Sequence, residues 1–248
     1  PVTLFDASAF PTRIVGEVRD FDPTKWIPPK DAKKMDEFIH YGVAASFMAL
    51  DDSGLEVTEE NAERIGVIVG SGIGGIESLA RGLQTLIERG PGRVSPFLVP
   101  MMIADMAAGE VSIMLGAKGT NWAPVSACAT STHALGEAAA IIRRGECDVV
   151  IAGGSEAPVS AISVAAFANM KALSARNDEP ERASRPFDAE RDGFVIAEGA
   201  ALLVLEERAA ALARGAPILG EIVGYGSTAD ANHITQPAPG GEGAARSM

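Results

Sequence analysis

The sequence predicts an α/β fold, a mostly parallel or mixed sheet with helices on both faces. Three observations lead there. The runs "ERIGVIVGSG" (63–72), "CDVVIAGG" (147–154) and "GAALLVLEE" (199–207) are short, apolar and not alternating, as strands buried on both faces are. Helical stretches separate them. Strand and helix therefore alternate along the chain, which implies right-handed crossovers and parallel pairing.

The elements follow in order. In "DAKKMDEFIHYGVAASFMALDDSG" (31–54), Met35, Phe38, Ile39, Val43, Ser46 and Phe47 recur at three- and four-residue steps, which predicts one helix. After the first strand, "GIESLARGLQTLIERG" (75–90) reads as a helix closed by Gly90. "MMIADMAAGEVSIMLGAKG" (101–119) is a less regular helical region. "NWAPVSA" (121–127) reads as a short strand and "ATSTHALGEAAAIIRRGE" (129–146) as a helix. "SAISVAAFANMKALS" (160–174) is helical. "RAAALARG" (208–215) is a helix between the third long strand and a predicted fourth, "PILGEIVGYGST" (217–228). The closing "GGEGAARSM" reads as the first turn of a helix. The charged stretch "SARNDEPERASRPFDAERDGF" (174–194) breaks the rhythm, and long connections of this kind are often functional.

Composition narrows the function. The chain has 248 residues, enough for one large domain or two modest ones. At 47% hydrophobic and 22% charged it is globular. A net charge of −12 argues against a basic nucleic-acid surface, although it leaves room for a local basic patch. Two cysteines and three histidines without paired spacing argue against a disulfide framework and a structural zinc site. No apolar run reaches about 18 residues, so no membrane helix is expected. No signal-peptide pattern is present, and a reducing cytoplasm is the expected location.

Gly70-Ser-Gly72-Ile-Gly74-Gly75 matches G-x-G-x-x-G between a strand and a helix. That is a dinucleotide fingerprint, but a lone match is weak. Some 60 residues precede it, and the acidic residue expected ~20 positions on, Glu88, falls within a helix. A tight turn with close packing is preferred.

Cys128 is the stronger signal. It stands where a strand hands over to a helix, at the carboxyl edge where open α/β sheets place ligands. The free N–H groups and positive dipole end of the helix favour an anionic sulfur. Ala127 and Ala129 leave room for an electrophile, and the backbone N–H of Cys128 can serve as an oxyanion donor. A buried, inert cysteine is the competing explanation. His133, five residues on, lies about 140° around the helix and is expected to point away. His40 looks structural, and His233 lies on a loop. No Cys–His pair is evident. Cys147, in a helix–strand turn, is expected to be structural. Asp188, Glu190, Arg191, Asp192 and Glu198 are expected to brace a loop rather than act as acid and base. Lys30, Lys33 and Lys34 are expected to share one helical face, as a solvated surface or a basic patch for an acidic partner.

Together "GSGIGG", "SPFLVPMMIADMAAG", "VSACATSTHALGEAA", "DVVIAGGSEA", "ALSARNDEPERASRPFDAERDGFVIAEGAALLVLEE" and "STADANHITQPAPGG" resemble the elongating β-ketoacyl-acyl-carrier-protein synthases of the thiolase-like superfamily. The segments span nearly the whole chain in family order. The resemblance implies a thiolase-like α/β fold, with residues 1–248 forming the N-terminal half of a duplicated αβαβα architecture without its first strand. It implies an acyltransferase in which Cys128 holds an acyl thioester that is extended by decarboxylative condensation with a malonyl group. No redox cofactor or metal is required. Ile73, Ile76, Ala127 and Phe167 would line the acyl pocket. His233 and Thr235 would lie near a phosphopantetheine channel. Lys30, Lys33, Lys34, Arg93 and Lys171 would face an acidic acyl carrier protein, and a homodimer is expected. The family's catalytic histidines and a nearby lysine belong to a segment outside these residues, so this polypeptide alone is expected to be inactive in condensation. A polyketide ketosynthase, another thiolase-type transferase and a non-catalytic chain-length factor are the alternatives. The presence of Cys128 speaks against the last.

Overall fold

The structure, a computed structural model, describes residues Pro1–Met248. Helices α1 (Pro29–Ala32) and α2 (Glu37–Ser53) precede strand β1 (Ile65–Gly70). Then come α3 (Ile76–Arg89), α4 (Leu98–Met102), α5 (Met106–Leu115) and β2 (Asn121–Trp122). Helix α6 (Thr130–Arg143), β3 (Val149–Glu156), α7 (Ala161–Asn169), β4 (Gly199–Glu206), α8 (Arg208–Ala213) and α9 (Glu242–Ser247) complete the chain.

The strands form one sheet in the order β2-β1-β3-β4. Strand β1 pairs in parallel with β2 and β3, while β4 runs antiparallel to β3. The sheet is therefore mixed and mostly parallel, as expected, with the antiparallel pairing at one edge. Side chains of successive strand residues point to opposite faces, and here both faces are covered. Ile65, Val67, Val69, Val149 and Ile151 pack under α2 and α5 with Phe38, Ile39, Val43 and Val111. Ile68, Val150 and Ala152 pack under α6 with Ala134, Ala138 and Ile141. Burying an Ile or Val side chain contributes about 1.5–3 kcal/mol. Two covered faces thus account for the unbroken apolar runs of β1 and β3.

Three sequence expectations need correction. First, the helix expected over 31–54 is interrupted. Asp36 is extended (φ −81°, ψ 163°), and its carboxylate accepts from the Phe38 N–H at 3.4 Å, starting α2 afresh. The same buried carboxylate accepts from the Ser78 N–H at 3.1 Å and from the Ser78 hydroxyl, tying the start of α2 to α3. Lys30, Lys33 and Lys34 therefore do not share the face of one helix: α1 ends at Ala32 and Lys33 caps it. Second, only Asn121 and Trp122 of "NWAPVSA" pair as a strand. Third, 217–228 is not a strand. Leu219 and Val223 are 86% and 88% exposed. A strand needs an edge that receives its backbone groups, and pattern alone does not provide one. The segment lies instead along α6. Arg143 Nη2 donates to the Ile222 carbonyl at 2.8 Å, and the Tyr225 ring fills the space left by the missing side chain of Gly136.

Candidate active site

Helix α6 begins against the carboxyl ends of the two central strands. Gly70 and Gly154 are register partners there. A Cβ on Gly70 would stand 2.2 Å from Thr130 Cγ2, and one on Gly154 would stand 2.1 Å from Ser131 Oγ. Both strands carry glycine at this level because the first residues of α6 occupy that space. A single 3-10 turn, Ala127–Ala129, leads from Ser126 into α6. Thr130 is buried, and its Oγ1 accepts from the Ser126 N–H at 2.8 Å, closing the turn. Ala127 sits at φ 49°, a left-handed conformation that costs a non-glycine residue about 1 kcal/mol or more.

Cys128 is held at this elbow with its side chain exposed, flanked by exposed Ala127 and Ala129. The 3-10 turn takes up the first N–H groups after the sulfur: that of Ala129 donates to the Ser126 carbonyl at 3.1 Å and that of Thr130 to the Ala127 carbonyl. Cys147, at the other end of α6, is 1% exposed and packed among Ile68, Val150 and Ala138. The structure thus separates the cysteines as the sequence does: one presented, one entombed.

The glycine motif makes the wall beside the elbow. Its turn is occupied by the chain's own carboxylate. Glu156, the last residue of β3, accepts from the Gly72 N–H at 2.6 Å, the Ser71 hydroxyl at 2.8 Å and the Ile73 N–H at 3.3 Å. Ser71 Oγ in turn accepts from the Gly74 N–H at 2.9 Å. The donors that would cradle a pyrophosphate are turned toward this carboxylate, so the preferred expectation of a packed turn describes the motif. A Cβ on Gly72 would lie 3.6 Å from Ala127 Cα, and one on Gly75 would lie 2.0 Å from the Met101 carbonyl oxygen. The loop stands beside the elbow on one side and is pressed against the α4 backbone on the other. Glu156 escaped the sequence analysis. The signal was a glycine turn rich in free N–H groups, with an acidic residue closing the neighbouring strand.

The other expected site residues divide into groups. Ile73, 40% exposed, follows Gly72 on the loop that stands beside Ala127, and Ile76 opens α3. Phe167 lies in a separate cluster with Val164, Ala168, Leu173 and Ile196, its ring edge-on to Phe194 at 5.5 Å. His233 and Thr235 occupy an exposed loop, where His233 Nδ1 accepts from the Thr235 and Gln236 N–H groups at 3.2 and 3.1 Å. The ring closes its own turn. His133 is engaged at both nitrogens, by Ser126 Oγ at 2.5 Å and Ser227 Oγ at 3.4 Å, and makes no pair with Cys128.

Among the basic residues, Lys30, Lys33, Arg93 and Lys171 are exposed. Lys34 pairs with Asp31 at 2.7 Å and stands 5.8 Å from the Phe97 ring centroid, which brings the lysine turn beside the segment that carries Arg93. Lys171 follows α7 in a left-handed conformation, φ 58°.

The acidic stretch is a brace, as expected. Arg185 pairs with Asp188 at 2.9 Å and Arg176 with Asp192 at 3.7 Å, while Arg176 Nη2 donates to the Glu190 carbonyl at 2.9 Å. The Glu190 N–H and Arg185 hold the Asp188 carboxyl below the usual carboxylate range. Glu198 is the exception. It accepts from the Val18 N–H at 3.0 Å and from the Tyr41 hydroxyl at 3.4 Å, and burial pushes its carboxyl up.

An exposed thiol at a helix-start elbow, at the carboxyl edge of an α/β sheet, is placed where a nucleophile of covalent catalysis can stand. The family model for the N-terminal domain of beta-ketoacyl synthase matches residues 5–211, and the chain belongs to that family. It is 52% identical over 244 residues to the 3-oxoacyl-[acyl-carrier-protein] synthase 2 of Vibrio harveyi, covering 98% of this chain and 59% of that protein. A beta-ketoacyl synthase crystal structure from Burkholderia phymatum STM815 superposes with a TM-score of 0.85 at 40% identity, over 94% of this chain and 58% of that one. A type II polyketide ketosynthase solved with its acyl-carrier protein and a bound hexaketide superposes at 0.74 and 30% identity, over 88% and 60%. The chain spans about three-fifths of the length of these relatives. No helix is long and apolar enough to cross a membrane.

Proposed function

We propose that the chain carries the nucleophile of a condensing acyltransferase of fatty acid synthesis. The thiolate of Cys128 attacks the carbonyl of an acyl thioester on acyl carrier protein. The C–S bond to the carrier's phosphopantetheine breaks, its thiol takes up a proton, and the acyl group rests on Cys128. A malonyl carrier thioester then loses carbon dioxide. The electron pair of the broken C–C bond becomes the carbanion that attacks the Cys128 thioester, expelling the thiolate and leaving a β-ketoacyl carrier two carbons longer. Ile73, Ile76, Ala127 and Phe167 line the acyl pocket. His233 and Thr235 border the phosphopantetheine channel. Lys30, Lys33, Lys34, Arg93 and Lys171 meet the acidic carrier, by charge complementarity that speeds encounter. The enzyme works as a cytoplasmic homodimer.

One observation carries this proposal: Cys128 is exposed on the elbow and Cys147 is buried. The test is to treat the full-length protein with iodoacetamide, and separately with an acyl carrier thioester, and to map adducts by peptide mass spectrometry. Adducts at Cys128 and not at Cys147 are expected from both reagents. Equal labelling of the two cysteines, or an unmodified Cys128, overturns the proposal.

A further inference from the structure

The carboxylate inside the glycine turn has no role in the chemistry just described, yet its geometry is that of a built site. Glu156 ends β3, and the loop it holds follows β1, 83–85 residues away in sequence. Both carboxylate oxygens are used. Oε2 takes the Gly72 N–H, while Oε1 takes the Ser71 hydroxyl and the Ile73 N–H. Ser71 extends the network to the Gly74 N–H. Charge-assisted bonds of this kind are roughly twice as strong as neutral ones. A carboxylate that accepts from several fixed N–H groups also fixes the loop that bears them.

What the loop does is set by its other neighbour. Gly72 neighbours Ala127 across the width of one methyl group: a Cβ on it would make ordinary contact, 3.6 Å, with both the Ala127 Cα and its carbonyl oxygen. Ala127 precedes Cys128 and is held in the left-handed region. Such a conformation persists only where the surroundings over-determine it. On the far side, Gly74 and Gly75 admit the Met102 and Met101 carbonyls, so α4 blocks retreat of the loop. Glu156 completes the enclosure by pulling the loop onto the end of β3.

We propose that Glu156 is a positioning residue for Cys128. Its carboxylate clamps the 71–74 loop as a buttress against Ala127, and so sets the direction in which the sulfur leaves the elbow. This rests on the proposed acyl uptake by Cys128. A displacement of about 1 Å in an attacking group can cost up to about a hundredfold in rate, so a modest loop shift is enough.

The full-length protein and its Glu156→Gln variant provide the test. Gln keeps the size of Glu but turns one acceptor oxygen into a donor, which then faces either the Gly72 N–H or the Ser71 and Ile73 donors. Amide exchange at Gly72 and Ile73 is expected to lose protection, while amides inside β1, β3 and α6 keep theirs. Acylation of Cys128 by an acyl carrier thioester is expected to fall about tenfold or more, with KM little changed. Ser71→Ala, which removes one of the three donors to the carboxylate, is expected to fall in the same direction by less. Wild-type exchange at Gly72 and Ile73 in Glu156→Gln overturns the clamp. Lost protection with unchanged acylation overturns the positioning role. A loss of rate matched by lost protection throughout the sheet shows a merely structural residue and also overturns it. If the wild-type protein takes up no acyl group, the proposed function fails, and the exchange measurement still decides the clamp.

Discussion

The two cysteines stand at opposite ends of one helix, and the ends differ in almost everything that governs reactivity. At the carboxyl end of α6, Arg64 donates to the Gly145 and Glu146 carbonyls at 2.9 and 3.0 Å and pairs with Asp148 at 2.6 Å. Cys147 lies beneath this fork, buried, with a Cβ on Gly66 able to approach its sulfur only to 3.1 Å. At the amino end the turn Ala127–Ala129 is open, its residues small and exposed. A helix end closed by carbonyl caps and packing makes a cysteine part of the core. One closed only by a buried threonine and two strand glycines leaves the sulfur facing outward at the positive end of the helix dipole.

The sharpest way to break this contrast is to exchange the cysteines for alanine in the full-length protein. Cys128→Ala is expected to abolish acyl uptake outright, measured by intact mass after incubation with an acyl thioester. Cys147→Ala is expected to retain it, at a stability cost of about 1 kcal/mol for the small cavity left behind. Next in size, Gly154→Ala drives a Cβ into Ser131. The helix must shift, at a cost of about 2 kcal/mol and a Tm lower by about 4–8 °C in thermal denaturation. Because the displaced residues lie next to the elbow, iodoacetamide labelling of Cys128 is expected to change in the same variant.

The smallest expected effect concerns the closed end. The Arg64 hydrogen bonds hold the Asp148 carboxyl below the usual carboxylate range. Its folded value is thus lower than its unfolded value, so the stabilisation is present above the unfolded value, ~3.9. It is lost as pH falls through the folded one. Both side chains are substantially exposed, and salt screens the pair. Amide exchange after α6, at Gly145 and Glu146, is expected to quicken slightly below about pH 4 relative to pH 6, after correction for intrinsic rates. The elbow at Cys128 has no such pair and should show no matching change.

Much of this was legible in the sequence, and the limits are physical. Strands β1 and β3 were plain because both faces of their central residues are covered, which gives the unbroken runs Ile65–Gly70 and Val149–Ala152. The elbow was plain from the alanines around a cysteine at the start of a helix, although the strand expected to lead into it stops at Trp122 and a 3-10 turn takes its place. The segments 199–207 and 217–228 looked alike, yet only the first found an edge, antiparallel to β3. Partner availability is not written in either segment. The break at Asp36 depends on Ser78, and the role of Glu156 depends on a loop more than 80 residues earlier. Local pattern does not report a hydrogen bond that the fold alone creates.

His133 joins the elbow to a distant stretch of chain. Its two ring nitrogens reach Ser126, two residues ahead of Cys128, and Ser227, while Tyr225 seats edge-on to the same ring over Gly136. The imidazole is thus a strut between the reactive turn and the segment that follows α8. One side chain thus places Ser227 at the door of the reactive turn, although 101 residues of chain separate it from Ser126.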